Sequence, residues 1–405
     1  MPINIVPFFS EVSPEGLSDE VLKEIEQEDV KFLYNENHIP KDTPLLIFIG
    51  TGGTENAVKT FLESNEVTTP ITLLSYDERN SLPAAMEIRT YLQSKGLEAR
   101  IVHKSLPALR TLLGRWSQFI RIKENLREAT IGVIGEPSSW LISSNVDPDE
   151  VKKRWGIDIE KIPIEELTKN LPREMNEKFS RQIDSFQSSA KSQSVKDAEV
   201  QKAGIVAQRI AEISNQKKLT AVTVQCFSLL QDTEISGCFS LSYLNDLDEF
   251  VAGCEGDIPA TFTMLVAKML TGIPSFMANV TSVDQDLNTV VFAHCTVPRK
   301  LTDDYEITNH FETGMSIGIR GKLPLEDVTV VKIFGSDLSQ LWVSGGTIID
   351  NLVNDKGCRT QIRVAMDESV DYFLEQSLAN HHIVILGDFQ DEFIDFFEFI
   401  KSQQK

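Results

Sequence analysis

The hydrophobic pattern of this 405-residue chain changes at about residue 273, and this change limits the folds that it can adopt. Before that point, short apolar or β-branched runs alternate with helical patterns. Beyond it, one strand pattern follows another. Alternation is typical of parallel sheets covered by helices on both faces, whereas successive strands separated by turns are typical of a barrel or a sandwich. We therefore predict two α/β domains, 1–128 and 129–272, and a β-rich domain, 273–405.

Local patterns place the elements of the two α/β domains. The predicted strands are 45–49, 71–75, 99–102, 157–162 and a strand from residue 130, and the apolar runs 219–226 and 238–244 are also β-rich. The predicted helices are 82–95, 259–270, a helix through residue 61 and one from residue 148. Asp147 and Asp257 are suited to cap the helices that follow them, because each precedes a helix with Pro in its first turn.

The third domain is predicted from strands and turn residues. The strands are 275–280, 289–294, 328–333, 341–343 and 360–364, followed by strand 382–386 and helix 390–402. Glycines at 314, 321, 335, 345, 346 and 357 are interpreted as turns between these elements.

Charge and cysteine content exclude several classes of function. The net charge of −21 repels phosphate backbones and anionic lipid surfaces, so a general nucleic-acid or membrane binder is not expected. Five cysteines without a CxxC pair indicate reduced, buried thiols, and neither a disulfide framework nor a zinc site. The N-terminus has no basic segment before its apolar residues. We therefore expect a soluble, cytoplasmic protein.

Two strand-to-helix junctions are candidate binding sites. The loop from Gly50 to Thr54 can hold an anion or sugar hydroxyls at a helix N-terminus, or it can be a tight turn only. At the second junction Asp257 is explained by capping alone, whereas Glu255, one step outside the helix, is not. Histidines 294, 310, 381 and 382 fall late in the chain, and each is either a metal ligand or a hydrogen-bonded structural residue.

Seven segments from residue 51 to residue 388 carry the most specific motifs. They are TGGTE (51–55), NSLPAAMEI (80–88), IGEPSSWLISS (134–144), CEGDIPATFTMLVAKMLTGIPSFMANVTSVDQDLNTVVFAHCTVP (254–298), NHFETG (309–314), GCRTQI (357–362) and NHHIVILGD (380–388). In their order and number these segments resemble the L-fucose and L-arabinose isomerase superfamily, in particular its shorter fucose-isomerase-like members. The resemblance implies two Rossmann-like domains, a β-barrel-like domain and a homo-oligomer, trimer or hexamer.

The resemblance also implies an activity, that of an aldose–ketose isomerase using Mn²⁺ or a similar divalent ion. Such an enzyme is an intramolecular oxidoreductase in which carboxylates and histidines hold the metal. A proton moves between C1 and C2 of the sugar through a cis-enediol. By position in the motifs, Glu255 matches the first metal carboxylate, Asp257 a polar neighbour in the catalytic group and His294 a histidine ligand. His381 or His382 matches the late histidine ligand.

One position departs from the superfamily pattern. The second metal carboxylate is expected at Asn279, or at Ala278 in the alternative register. Asparagine can offer a carbonyl oxygen to a metal but cannot accept a proton, so one acid/base group is lost. Asp284 and Asp286 can replace it unless they form a solvated turn, and His294 is the other candidate base. Three hypotheses therefore remain: a working isomerase, a related epimerase or enolising enzyme, and a sugar-binding protein without catalysis.

The motifs further predict residues that surround the sugar. Trp140 is equally compatible with a core position and Arg359 with a structural ion pair. The predicted substrate-binding residues are Thr51, Gly52, Gly53, Glu136, Trp140, His310 and Arg359.

Overall fold

The computed structural model describes residues 3–34, 45–65, 71–248 and 250–402. Contacts divide the chain into two compact units, one comprising Met1–Lys123 with Asp395–Lys405 and the other Glu124–Ile394. The three-domain division at residues 128 and 272 stays a prediction. The predicted fold class is confirmed, because two parallel α/β sheets are followed by a closed antiparallel barrel.

The first unit contains a five-stranded parallel sheet with strand order β2-β1-β3-β4-β5. Its elements are β1 (Ile3–Phe8), α1 (Leu17–Ile25), β2 (Val30–Phe32), β3 (Leu45–Ile49), α2 (Glu55–Ser64), β4 (Ile71–Ser75), α3 (Ser81–Ser94), β5 (Ala99–His103) and most of α4 (Leu106–Glu128). Every residue of β3 and β4 is buried. Burial on both faces explains why these strands are continuous apolar runs with no alternation.

The second unit begins with a four-stranded parallel sheet of order β10-β9-β6-β7. Its elements are β6 (Thr130–Ile134), α5 (Pro148–Trp155), β7 (Asp158–Ile162), α6 (Ile164–Thr168), α7 (Glu177–Ser188), β8 (Ser192–Gln193), α8 (Asp197–Lys217), β9 (Ala221–Val224), α9 (Cys226–Thr233), α10 (Cys238–Asn245), β10 (Val251–Cys254) and α11 (Ile258–Thr271). The two predicted caps are confirmed: Asp147 accepts hydrogen bonds from the second and third residues of α5, and Asp257 from the third residue of α11.

The barrel follows in the same unit, with strand order β11-β12-β17-β16-β15-β18. The remaining elements are β11 (Phe276–Asp284), β12 (Thr289–His294), a 3₁₀ turn (Arg299–Leu301), β13 (Asp304–Thr308), β14 (Gly318–Lys322), β15 (Asp327–Phe334), β16 (Gln340–Asn351), β17 (Thr360–Met366), α12 (Tyr372–Glu375), β18 (His382–Leu386) and α13 (Gln390–Ser402). Antiparallel pairing of β11 with β18 closes the barrel, with Phe276 opposite Val384. The structure therefore selects the barrel from the two predicted β architectures.

Helix α11 connects the parallel sheet of the second unit to the barrel. It contacts β6, β9 and β10 on the sheet side and β15 and β18 on the barrel side. Its residues from Ile258 to Ala267 are all buried, which explains its lack of a polar face. The hydroxyl of Thr263 accepts a hydrogen bond from the backbone N–H of Ile333 in the barrel. The loop that begins α11 is thereby held beside the ends of barrel strands.

Three local predictions are wrong. The run 238–244 forms helix α10, because both faces are buried and periodicity cannot separate a buried helix from a buried strand. Gly321 lies within β14 and Gly345-Gly346 within β16, where these glycines allow close packing. A Cβ at Gly346 would lie 2.7 Å from the carbonyl oxygen of Ala365.

The sequence patterns also missed a small three-stranded sheet of order β14-β13-β8. Its strands are short or rich in glycine and charge, so their local preference for strand is weak and long-range pairing decides their structure. In the described part of the chain, no helix combines the length and the apolar surface that crossing a bilayer requires.

Candidate metal centre

The turn between β10 and α11 places two carboxylates in different directions. Glu255 has φ of 62°, a left-handed conformation that costs a non-glycine residue about 1–2 kcal/mol. Gly256 follows with φ of 70°, and a Cβ there would lie 2.7 Å from the carbonyl oxygen of Glu136. The turn is also held by a 2.8 Å hydrogen bond from the Ser138 N–H to the Glu255 carbonyl. Glu255 therefore lies outside helix α11, whereas Asp257 caps this helix.

Glu255 meets two histidines from the barrel. Potential ligand atoms of Glu255, His294 and His381 all lie within 4.8 Å of one another. His294 ends β12, and His381 immediately precedes β18. Both imidazoles are buried, and the Glu255 side chain is 13% exposed. Three predicted ligands, distant in sequence, are thus brought together.

His381 is oriented by Asp257 and has one unused nitrogen. Its Nδ1 lies 2.8 Å from Oδ2 of Asp257, so Nδ1 carries a proton and donates a hydrogen bond to the carboxylate. Its Nε2 is buried and, among the described residues, has no hydrogen-bond partner. The same atom lies 3.8 Å from Oε1 of Glu255. An imidazole held through one nitrogen by a carboxylate is a common arrangement for a metal ligand.

The charge of Asp257 is stabilised from two sides. Burial by itself raises the pKa of this carboxyl, but the Lys332 ammonium and the hydrogen bond to His381 outweigh it and lower the pKa to about 2. Lys332 is fully buried, and burial lowers its own pKa. Asp257 therefore stays ionised and can hold His381 in one tautomer.

His294 is kept neutral by its surroundings. Burial, followed by the proximity of His381, lowers its pKa to about 4. Its Nδ1 lies 2.9 Å from the hydroxyl of Thr296, which leaves Nε2 for another partner. A neutral imidazole is the form that binds a metal ion.

One of the predicted substrate-binding residues, the aromatic Trp140, holds the Glu255 carboxylate. The indole Nε1 of Trp140 donates a 2.6 Å hydrogen bond to Oε2. Trp140 is 52% exposed and packs edge-on against Phe227, so it is not a core residue. Phe227 in turn contacts the ring of His310.

His382 and Asn279 are engaged in other contacts. The Nδ1–H of His382 donates a 2.8 Å hydrogen bond to the backbone carbonyl of Asn380, and its Nε2 lies 3.1 Å from the Tyr372 hydroxyl. The Asn279 carbonyl accepts from Asn380, and its amide donates to the Cys358 sulfur at 3.9 Å. Of the two late histidines, His381 is the one that lies beside Glu255.

The remaining predicted substrate-binding residues lie in three different environments. His310 is buried and lines the same pocket as Glu255. Glu136 is exposed and forms an ion pair with Lys161 at 3.5 Å. Arg359 bonds the backbone and side chain of Asn309, and so fixes the loop that carries His310. Thr51, Gly52 and Gly53 belong to the first unit, in the turn between β3 and α2.

Sequence reasoning missed how the cysteines are grouped. All five line a pocket of about 60 Å³ together with Glu255, His294 and His310. The signal was slight: three of the five stand at or just after the end of a predicted strand. The buried Lys332 was missed as well, because a lysine in a strand is ordinarily read as solvent-exposed.

Comparison with known proteins gives distant relatives. No family model matches the chain. The sulfoquinovose isomerases of Priestia aryabhattai and Priestia megaterium are each 21% identical over 313 residues, which is 74% of this chain and 69% of theirs. That of a Clostridium species is 25% identical over 173 residues, 39% of this chain and 37% of its own.

A solved structure, D-threo-3-hydroxyaspartate dehydratase from Delftia sp. HT23, covers 96% of this chain and 85% of its own at 8% identity. Its TM-score of 0.15 is too low to bear on the fold. The similarity to the sulfoquinovose isomerases is consistent with the resemblance to the L-fucose and L-arabinose isomerase superfamily that the motifs predict.

Proposed function

We propose that this protein is a sugar isomerase in which Glu255, His294 and His381 hold a divalent cation. One observation carries the proposal: three ligand-type side chains converge at the end of β10, and the Nε2 of His381 is buried there without a partner among the described residues. The isomerase activity of the relatives is consistent with it.

The donor set fits a divalent ion of intermediate hardness. One carboxylate oxygen and two imidazole nitrogens suit Mn²⁺, Zn²⁺ or Mg²⁺, and Mn²⁺ is our choice from the superfamily resemblance. When bound, such an ion polarises the sugar carbonyl and stabilises the negative charge that develops on the enediol oxygens.

The protein residues supply orientation and proton transfer. Asp257 keeps the proton of His381 on Nδ1, so Nε2 presents its lone pair toward Glu255. The Trp140 indole holds Oε2 of Glu255, which leaves Oε1 on the histidine side. We assign to Glu255 the transfer of a proton between C1 and C2 through a cis-enediol.

A sugar-binding protein without isomerase activity is the second candidate, and Asn279 favours it. This residue stands where the superfamily resemblance expects a carboxylate, and its amide is engaged by Asn380 and Cys358. A single carboxylate must then remove and return the proton, or His294 must act as the second base.

The ligand set can be tested by titrating metal-free protein with Mn²⁺ in a calorimeter. We expect Glu255→Gln to weaken binding by tenfold or more, since the carboxylate loses its charge. Glu326→Gln removes an exposed carboxylate in the same unit and serves as the matched control. Equal affinities for all three proteins would reject Glu255 as a ligand.

The reaction can be tested by proton NMR in D₂O. The Mn²⁺-loaded protein is incubated with sulfoquinovose and a panel of aldoses and ketoses, and the metal is removed before recording. Deuterium at C1 or C2 of one sugar would support the isomerase, whereas Mn²⁺-dependent sugar binding without exchange would support the second candidate. The trimer or hexamer implied by the resemblance is a separate proposal, which analytical ultracentrifugation would test.

A further inference from the structure

Thiol groups surround the pocket beside Glu255, and the proposed reaction uses none of them. The residues are Cys226, Cys238, Cys254, Cys295 and Cys358. All are free thiols; the first four are buried and the last is half-buried. Five cysteines from separate parts of the chain therefore line one pocket of about 60 Å³.

Two of these sulfurs are in contact where strands β9 and β10 end. The thiol of Cys254 donates to the sulfur of Cys226 at 2.9 Å. Strands β9 and β10 pair in parallel with Val224 opposite Cys254, and Cys226 follows two residues later as the first residue of α9. Gly237 makes room for this pair, because a Cβ there would lie 2.7 Å from the Cys226 sulfur.

We propose that Cys226 and Cys254 form a peroxide-sensitive pair that closes to an intramolecular disulfide. The sulfurs need to approach by less than one ångström to reach the bond length of about 2.05 Å. The pocket of about 60 Å³ beside these thiols has room for a molecule as small as hydrogen peroxide.

The oxidation proceeds in two steps. The Cys226 sulfur attacks one peroxide oxygen and gives up its proton; the O–O bond breaks and one water leaves. The resulting sulfenic acid is then attacked by the Cys254 sulfur, the S–O bond breaks and a second water leaves. Two thiols thus lose two electrons and two protons, and one peroxide becomes two waters.

The bridge would act on the candidate metal centre through the chain. Cys254 immediately precedes Glu255, whose backbone has a positive φ. Because this conformation leaves the backbone little freedom to adjust, a shift of Cys254 would also move Glu255. This consequence rests on the proposed function: oxidation should weaken Mn²⁺ binding by tenfold or more, and dithiothreitol should restore it.

The disulfide is tested on metal-free, full-length protein treated with hydrogen peroxide. We expect the intact mass to fall by two hydrogens. Trypsin leaves Cys226, Cys238 and Cys254 in one peptide, 219–268, so a second cleavage after glutamate residues is needed to separate them. The fragments that contain Cys226 and Cys254 should then be joined.

Variants identify the pair. Cys226→Ser and Cys254→Ser should abolish the cross-link, with the alanine variants as replacements if either serine variant fails to fold. Cys238→Ser is the matched control and should retain it. Persistence of all five thiols, a bridge that includes Cys238, or oxidation past the sulfenic acid without a bridge would overturn the proposal.

Mn²⁺ titration of the reduced and oxidised forms separates the two proposals. If the reduced protein binds no Mn²⁺, the proposed metal centre fails, whatever the thiols do. If the reduced protein binds Mn²⁺ and no disulfide forms, the thiol pair alone fails. A disulfide with unchanged Mn²⁺ affinity would overturn its effect on the metal centre.

Discussion

Two strand-to-helix turns, one in each unit, are built from similar parts but differ in chemistry. The turn after β3 and the turn after β10 both follow a fully buried parallel strand. Each contains a glycine with positive φ, 80° at Gly53 and 70° at Gly256. Each ends at a polar residue before its helix, Thr54 in one and Asp257 in the other.

The difference lies in where their polar atoms find partners. In the first turn the Thr54 hydroxyl donates to the Thr51 carbonyl, and the Thr51 hydroxyl accepts from the Ser10 N–H. In the second, Asp257 caps its helix with one oxygen and holds His381 with the other, and a buried nitrogen of His381 lacks a partner among the described residues. Buried polar atoms are normally paired, so this nitrogen marks the candidate site better than any glycine pattern does.

The largest expected effect follows from removing the carboxylate that organises the second turn. Asp257→Ala deletes the helix cap, the partner of His381 and the anion that balances buried Lys332. We expect the free energy of unfolding to fall by about 3–5 kcal/mol, as when one member of a buried ion pair is removed. Urea denaturation of the metal-free protein measures it.

The control for this prediction is a cap without a second role. Asp147→Ala removes an exposed N-cap from α5 and should cost about 1 kcal/mol. Equal losses in the two variants would mean that Asp257 acts as a cap alone, and would remove the contrast between the two turns.

A second buried carboxylate, that of Asp246, predicts how the stability of the second unit depends on pH. Burial raises the pKa of Asp246 to about 6, and this outweighs the Lys300 N–H and the Arg299 guanidinium that lower it. In the unfolded chain the pKa is near 3.8, so between pH 4 and 6 the folded protein holds a proton that the unfolded chain has lost. The stabilisation is therefore full below pH 3.8 and is lost as pH rises through 6.

The size of this effect is about 3 kcal/mol for a displacement of two pKa units. Asp246→Asn should remove that part of the pH dependence. Free energies of unfolding measured at pH 4, 5, 6 and 7 should then change less with pH than those of the natural sequence. The same change in the free energy of unfolding between pH 4 and pH 6 in both proteins would contradict the assignment.

Much of the fold follows from local pattern, as particular elements show. Strand 382–386 and helix 390–402 were predicted with their observed limits, because apolar strand residues and helical periodicity are local signals. Helix α10 was not, since its serines bond to distant carbonyls such as those of Ala203 and Val297. Strand β14 has two glycines and two charges, and only its pairing with β13 makes it a strand.

The candidate site was predictable as far as motifs name residue types. Glu255, His294 and a late histidine were chosen from the superfamily resemblance, but the register between His381 and His382 was open because alternate strand residues face opposite sides. No pattern in sequence places Asp257 against His381 or brings five cysteines to one pocket. Those contacts depend on α11 lying between the parallel sheet and the barrel.

The smallest expected effect tests the first turn, where the motifs predicted sugar binding. Thr54 is 1% exposed, and its hydroxyl donates a 2.9 Å hydrogen bond to the Thr51 carbonyl. Thr54→Val keeps the shape and removes the donor, so the free energy of unfolding should fall by about 1–2 kcal/mol, as for other buried hydrogen bonds. Mn²⁺ affinity should not change, which the calorimetric titration checks. If the variant instead keeps its stability and loses affinity for the sugar, the first turn binds the sugar although its hydrogen bonds are satisfied. A binding site in this protein would then not require a buried polar atom without a partner.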